Sequence, residues 1–146
     1  MLSKNKIKQI TSLSQKKYRD ESGLFIAEGT KLVVDLLSSF HCSTLVATSE
    51  WIKENGKINA DEVIEVEADD LKKISNQKTP QGVLALFQKP KYDWGKDDLP
   101  QKLSLALDDV QDPGNLGTII RIADWFGINN IVCSVFEFSL DGSTLF

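Results

Sequence analysis

The sequence predicts an α/β protein in two parts, an amino-terminal α/β/α sandwich over residues 1–88 and a strand-loop-helix-strand unit opening at 103, joined by a linker over 89–102. Three observations predict it. Short apolar runs alternate with segments whose apolar residues recur at three- and four-residue steps, the pattern of strands interleaved with amphipathic helices. Lys89 to Lys102 is rich in proline, glycine and charge and lacks periodicity, which marks a linker. Beyond it, Leu103, Leu105, Ala106 and Leu107 form an apolar run that halts at Asp108 and Asp109, and a glycine-rich loop leads from there into a second periodic segment.

Taken in order, Ser3 to Arg19 reads as one amphipathic helix. Ile7, Ile10, Leu13 and Tyr18 follow helical spacing, and Lys4, Lys6, Lys8, Lys16, Lys17 and Arg19 fill the polar positions, with no acid before Asp20. A solvated lysine face and a phosphate-facing arm explain such a helix about equally well. Asp20 to Gly23 is a turn, Leu24 to Ala27 a strand, and Glu28-Gly29 its break. Thr30 is placed to cap a helix that turns Leu32, Val33, Leu36 and Leu37 inward. His41 and Cys42 follow at its end, and a lone histidine beside a helix terminus reads as a capping or surface residue, with no chemistry assigned to it. Thr44 to Thr48 is a strand, Ser49 to Asn55 a helix closed by Gly56, and Val63 to Val66 a further strand. Asp61, Glu62, Glu65, Glu67, Asp69 and Asp70 surround that strand and open the helix Ala68 to Ser75, where acids suit the dipole; this edge repels RNA. Gln77 to Gly82 is a loop before the continuous apolar strand Val83 to Phe87.

In the second part the loop runs from Val110 to Gly117, with φ fixed at Pro113 and with Gly114 and Gly117 free to take positive φ. A helix follows, capped by Asn115, ended by Gly127, and striped by Leu116, Ile119, Ile120, Ala123 and Phe126. Thr118, Arg121 and Trp125 line up on its other face, and Ile128 and Ile131 to Cys133 make the next strand. Such a loop aims backbone N–H groups and a helix N-terminus at whatever binds there, which makes it the candidate ligand site.

Composition bounds the partners. A chain of 146 residues, 41% apolar, can bury a core, and a net charge of −4 excludes a protein that coats nucleic acid by bulk charge, so any RNA contact comes from a local patch. Cys42 and Cys133 stand far apart with no CxxC and a single histidine in the chain, which argues against a disulfide framework or a metal site and for a reducing cytoplasm. No apolar run approaches the roughly 18 residues of a membrane span, so no membrane partner is expected.

The spacing Asp108, Asp112-Pro113, Asn115, Gly117, Arg121, Ala123-Asp124, Gly127 resembles the first motif of the SpoU/TrmH family of RNA ribose 2′-O-methyltransferases, in the SPOUT superfamily. Arg19, Gly23, the run Phe25 to Gly29 and the run Thr79 to Ala85 are similar to the family's amino-terminal substrate-binding domain, itself similar to RNA-binding ribosomal proteins. The resemblance implies S-adenosylmethionine as cofactor, rRNA or tRNA as substrate, a homodimer, and Arg121 and Asn115 as catalytic residues. It also makes Lys4, Lys8, Lys16, Lys17, Arg19 and Gln81 the candidate RNA contacts. A guanidinium is a poor base, with a pKa above about 12, so holding a phosphate and steadying the developing oxyanion is the more defensible task for Arg121. Trp125 is a candidate for packing against a second subunit, with core filling as the plain alternative.

Beyond Ser134 the family continues with two further motifs that tie a trefoil knot around the cofactor. Val135 to Leu140 instead alternates like an edge strand, with no knot motif. The expectation is an amino-terminal portion of a SPOUT methyltransferase over 103–146, with the knot absent, cofactor-binding residues unassigned, and no catalysis by this chain alone. Two other readings compete: a stand-alone RNA-binding module, and a nucleotide-binding α/β protein. The second is disfavoured by the absence of GxGxxG and of a lysine in the loop.

Overall fold

The computed structural model describes residues 2–90 and 102–134. The chain divides into two compact units, residues 1–90 and 91–146. The first contains α1 (Lys4–Ser12), α2 (Lys16–Ser22), β1 (Leu24–Glu28), α3 (Thr30–Leu37), β2 (Cys42–Ala47), α4 (Ser49–Asn55), β3 (Ala60–Glu65), α5 (Ala68–Lys72) and β4 (Val83–Gln88). Its strands form one sheet in the order β1-β4-β2-β3, in which β4 runs antiparallel to both neighbours and β2 pairs with β3 in parallel.

The uninterrupted apolar run of β4 has a direct cause: the strand is covered on both faces. Val83, Ala85 and Phe87 point to a cluster with Phe25, Val33, Leu45 and Trp51 on the side of α3 and α4. Leu84 and Leu86 point to the opposite cluster, with Ile10, Leu13, Val46, Leu71 and Ile74 of the α1 and α5 side. This is the expected α/β/α sandwich, and each large side chain fully buried in it contributes about 1.5–3 kcal/mol. In β2 the register shifts between Cys42 and Thr44, so that Cys42 joins the Phe25 cluster while Thr44 faces α1.

The expected single helix over Ser3–Arg19 is two helices. Thr11 and Ser12 hydroxyls donate back to the carbonyls of Ile7 and Gln9, and that of Ser14 to Thr11, competing with the helical ladder at the point where it ends. Arg19 then turns inward and donates from Nη1 to the carbonyls of Leu13 (2.9 Å) and Ser14 (2.8 Å), tying α2 to the end of α1. Thr30 is the first residue of α3 rather than its cap, which is Gly29. The Thr30 hydroxyl instead accepts from the Trp51 indole at 3.0 Å, joining α3 to α4.

In the second unit β5 (Ser104–Leu107) and β6 (Asn130–Cys133) pair in parallel, Ser104 opposite Asn130 and Leu107 opposite Cys133, with α6 (Pro113–Trp125) between them in sequence. The loop is shorter than expected. Asp112, not Asn115, caps the helix, its carboxylate accepting from the Asn115 backbone at 2.7 Å, and Pro113 takes the first helical position, where a missing N–H costs nothing. Gly114 and Gly117 are therefore helical, and positive φ falls at Asp109 (55°) and Gly127 (67°) instead. Glycine at 114 has another reason: a Cβ there would lie 2.9 Å from the capping carboxylate of Asp112.

Of the expected stripe, Ala123 is buried, Leu116 and Ile119 are partly covered, and Ile120 and Phe126 are exposed. Two strands are a narrow floor and cover one line of residues. Most of the linker, and residues 135–146 with the expected edge strand and the question of the knot, lie outside the described residues.

Candidate functional site

The loop that leaves β5 is shaped by three polar contacts. Asp109 adopts left-handed backbone geometry, uncommon for a residue with a Cβ. It is held there on both sides: its N–H donates to the Ser134 hydroxyl at 3.2 Å, and its carboxylate accepts from the Gln111 amide at 2.8 Å. The N–H of Ser134 in turn donates to the Leu107 carbonyl at 2.9 Å, so the ends of β5 and β6 are locked together at the loop. Thr118 closes the first turn of α6 on the Gly114 carbonyl at 2.9 Å.

These elements enclose an open concavity of about 460 Å³, lined by Asp109, Val110, Gln111, Asn115, Thr118 and Ile119. Its polar groups are a carboxylate, two amides and a hydroxyl, a donor and acceptor set suited to a ribose edge. Asn115 is thus on its wall. Arg121 is exposed but is not among the lining residues. Six residues apart at about 3.6 residues per turn, Asn115 and Arg121 point about 120° away from each other around the helix. No hydrogen bond joins them among the described residues, so Asn115 does not orient Arg121 directly. Trp125, one turn beyond Arg121, is 85% exposed; core filling is thereby excluded within the described residues.

In the first unit the six expected cations part company. Lys4, Lys8, Lys16 and Lys17 are exposed, as a phosphate-facing set requires. Lys6 is drawn against the sheet, where its ammonium is hydrogen-bonded to Thr44 and paired with Glu62. Arg19 is 5% exposed and works from inside, with Nε lacking a partner among the described residues; as an RNA contact it is corrected to a clamp between α1 and α2. The spacing pattern misses this because arginine on a polar-looking face is ordinarily solvated.

Gln81 is exposed in the loop before β4, beside the positive-φ Gly29, where an added Cβ would meet its Oε1 at 3.1 Å. That loop is fastened by Glu28, whose carboxylate accepts from the Ser75 hydroxyl and from the Asn76 N–H at 3.0 Å. Glu28 escapes a sequence reading as a functional residue because it looks like a strand end. Lys73 draws the Asp70 carboxyl below its usual range through a direct hydrogen bond at 2.6 Å, and Lys89 does the same to Asp20. Burial pushes the Cys42 thiol up to about 11, aided by the nearby Asp61 charge. Asp61 itself meets His41 Nε2 at 2.8 Å on the surface, which satisfies the single histidine. Among the described residues there is no group of three potential metal ligands, and no helix is long and apolar enough to cross a membrane.

Comparison with known proteins agrees with this architecture. Residues 4–85 match the family described as the MRM3-like substrate binding domain. The chain belongs to the SpoU/TrmH family of RNA methyltransferases, with an MRM3-like substrate binding domain at its front. Among its relatives, mitochondrial rRNA methyltransferase 3 of Xenopus tropicalis is 34% identical over 136 residues, covering 86% of this chain and 32% of the relative. The 23S rRNA (guanosine(2553)-2′-O)-methyltransferase RlmP of Bacillus subtilis is 30% identical over 137 residues, covering 87% of this chain and 50% of RlmP. A TrmH-family protein of Porphyromonas gingivalis superposes with a TM-score of 0.79 at 42% identity, over 95% of this chain and 56% of that one. The AdoMet-bound rRNA methyltransferase of Sinorhizobium meliloti gives 0.71 at 37% identity, over 96% and 57%. The chain spans about a third of the length of the first of these relatives and about half of the others.

Proposed function

We propose that the chain is the RNA-recruiting front of an S-adenosylmethionine-dependent RNA 2′-O-ribose methyltransferase acting on rRNA or tRNA. The observation that carries this reading is the open concavity at the Asp112-capped start of α6, with Asn115 on its wall, in a chain fronted by a substrate-binding domain. Asn115 engages the target ribose. Arg121, about one and two-thirds turns further along, grips an adjacent phosphate bidentately and offsets negative charge beside the attacking oxygen. The two residues divide the nucleotide between them, since they face different sides of the helix.

S-adenosylmethionine supplies the methyl group when bound. The lining of the concavity has no aromatic or enclosed apolar slot for an adenine, so no described residue is assigned to hold the cofactor and no step is derived through it. In the first unit Lys4, Lys8, Lys16 and Lys17 contact phosphates, and Gln81, in the loop fastened by Glu28, is a separate RNA contact. Two further features belong to the same proposal. Ile122, Trp125 and Phe126, exposed by 52, 85 and 71%, form the face a second copy covers in a homodimer. Two free cysteines fit a reducing cytoplasm.

The test is salt-dependent binding of this chain to rRNA fragments and tRNA. Replacing Lys4, Lys8, Lys16 and Lys17 together by glutamine is expected to lower the slope of log K against log salt by about 3, since each lysine–phosphate pair removed takes away about 0.7–0.9. An unchanged slope refutes the assignment. A stand-alone RNA-binding module is the second reading, favoured by a first unit whose sheet carries a core cluster on each face. Transfer of a radiolabelled methyl group to a ribose 2′-oxygen separates the two readings.

A further inference from the structure

We propose that Asn55-Gly56, where α4 ends, is a site of non-enzymatic deamidation that the folded helix holds shut, so that the amide becomes a carboxylate only when α4 unwinds. The inference is independent of the RNA-binding reading, since it needs only the peptide bond, the side chain beside it and water.

Asn55 is the one asparagine of the sequence that is followed by glycine. The pair is reactive for a steric reason. Ring closure brings the backbone nitrogen of the following residue onto the asparagine Cγ, and glycine has no Cβ to obstruct that approach and the widest choice of backbone angles for making it. The Gly56 nitrogen gives up its proton to water or hydroxide and attacks Cγ of Asn55. The N–Cγ bond forms as the Cγ–Nδ2 bond breaks, and Nδ2 leaves as ammonia after taking a proton from water. The cyclic imide then takes up one water molecule at either of its carbonyls, giving aspartate or an iso-aspartyl linkage.

The last turn of α4 opposes both ends of this closure. Asn55 is half-buried, and its Nδ2 donates to the Trp51 carbonyl at 2.9 Å, which ties the side-chain amide to the turn before it. The Gly56 N–H, whose proton has to leave, donates to the Ile52 carbonyl at 3.1 Å. Glycine at 56 is there for the fold, because its φ of 69° ends the helix and strains any residue with a Cβ. The residue that stops α4 is therefore the one that makes its neighbour labile, and two hydrogen bonds are the guard.

That guard is local. A helix of 7 residues has little stability of its own and depends on Trp51, buried in the core with its indole on Thr30, whereas Gly56 and Lys57 are exposed. Conversion also loosens what it escapes from. A carboxylate at 55 has no proton to offer the Trp51 carbonyl, and its charge opposes the dipole at the carboxyl end of the helix.

The experiment incubates the full chain at mildly alkaline pH, folded in buffer or unfolded in guanidinium chloride, and follows Asn55 by peptide mapping with mass spectrometry. Unfolding is expected to speed conversion at Asn55 by at least about tenfold, because the reaction no longer waits for a local opening. In the denaturant, Gly56→Ala is expected to slow conversion several-fold and Asn55→Gln to abolish it. Equal rates in the folded and unfolded chain overturn the gate. Another asparagine converting faster than Asn55 in the denaturant overturns the site.

Discussion

Replacing Arg19 by alanine tests how the first unit holds its basic helices. The two bonds from Nη1 to the Leu13 and Ser14 carbonyls, at 2.9 and 2.8 Å, are made by a charged donor in a buried position. Bonds of that type contribute about 1.5–3 kcal/mol each, so the pair gives roughly 3–6 kcal/mol. Against this stands the buried Nε with no partner, whose lost hydration costs about 1–3 kcal/mol. Arg19→Ala is therefore expected to destabilise the unit by about 2–4 kcal/mol. At about 4–8 °C per kcal/mol for a unit of this size, its midpoint falls by roughly 10–25 °C. The assay is thermal unfolding followed by the indole N–H resonance of Trp51, which reports the sandwich through its bond to Thr30. Arg19→Lys keeps the charge but not the paired geometry and is expected to recover less than half of the loss. A fall of under about 3 °C in the alanine variant would refute the clamp and return Arg19 to the RNA-facing set.

Other outcomes follow from the same geometry. Iodoacetamide at pH 8 is expected to label the exposed Cys133 and to spare Cys42, whose thiol is buried and pushed up to about 11, until denaturant is added; mass spectrometry of the folded protein showing both labelled contradicts this. Gly29→Val forces a side chain into φ 94° and against Gln81 Oε1, and is expected to cost about 1–3 kcal/mol in urea unfolding and to shift the Gln81 amide resonance. The folded-state pKa values of Asp20 and Asp70 are depressed by their lysine partners, so the stability they lend is present above the ordinary value of 3.8 and is lost as pH falls through the lower folded values. Lys73, raised above 10.5 by Asp70, lends stability below that value and loses it as pH rises through the folded one. Replacing Asp70 by asparagine should flatten both limbs of a pH-stability curve; a curve identical to wild type removes the pair from the account.

The sandwich was legible because periodicity reports burial directly. Val83 to Phe87 reads as a strand hidden on both faces and is one, α4 carries its own Thr48 cap, and α5 its own first-turn acids. The order of strands was not legible, since nothing local says that β4 inserts between β1 and β2. The break between α1 and α2 was hidden for a related reason: three back-bonding hydroxyls and one arginine settle it, and Thr11, Ser12 and Ser14 read as ordinary polar helix positions. At the candidate site the Asp-Pro-Gly-Asn run announces a helix start, but spacing alone favours Asn115 as the cap, while the proline at N1 points to the residue before it, Asp112. The positive φ at Asp109 had no glycine to advertise it; aspartate is among the few side chains that tolerate that region, and this was the available signal.

The insertion of β4 has a consequence for synthesis. Residues 83–88 supply the central strand of a sheet whose other members precede them, so a nascent chain that has emerged only as far as α5 holds one parallel strand pair and a detached β1 with nothing to dock on. Leu24 must wait for Gln88, 64 positions downstream by their numbering, and a closure of that span is slow compared with local helix formation. The lysine-bearing helices at the front therefore leave the ribosome early, with only β2, β3 and α5 to dock on, and their packing is completed by Leu84 and Leu86 when the ninth element of the unit arrives.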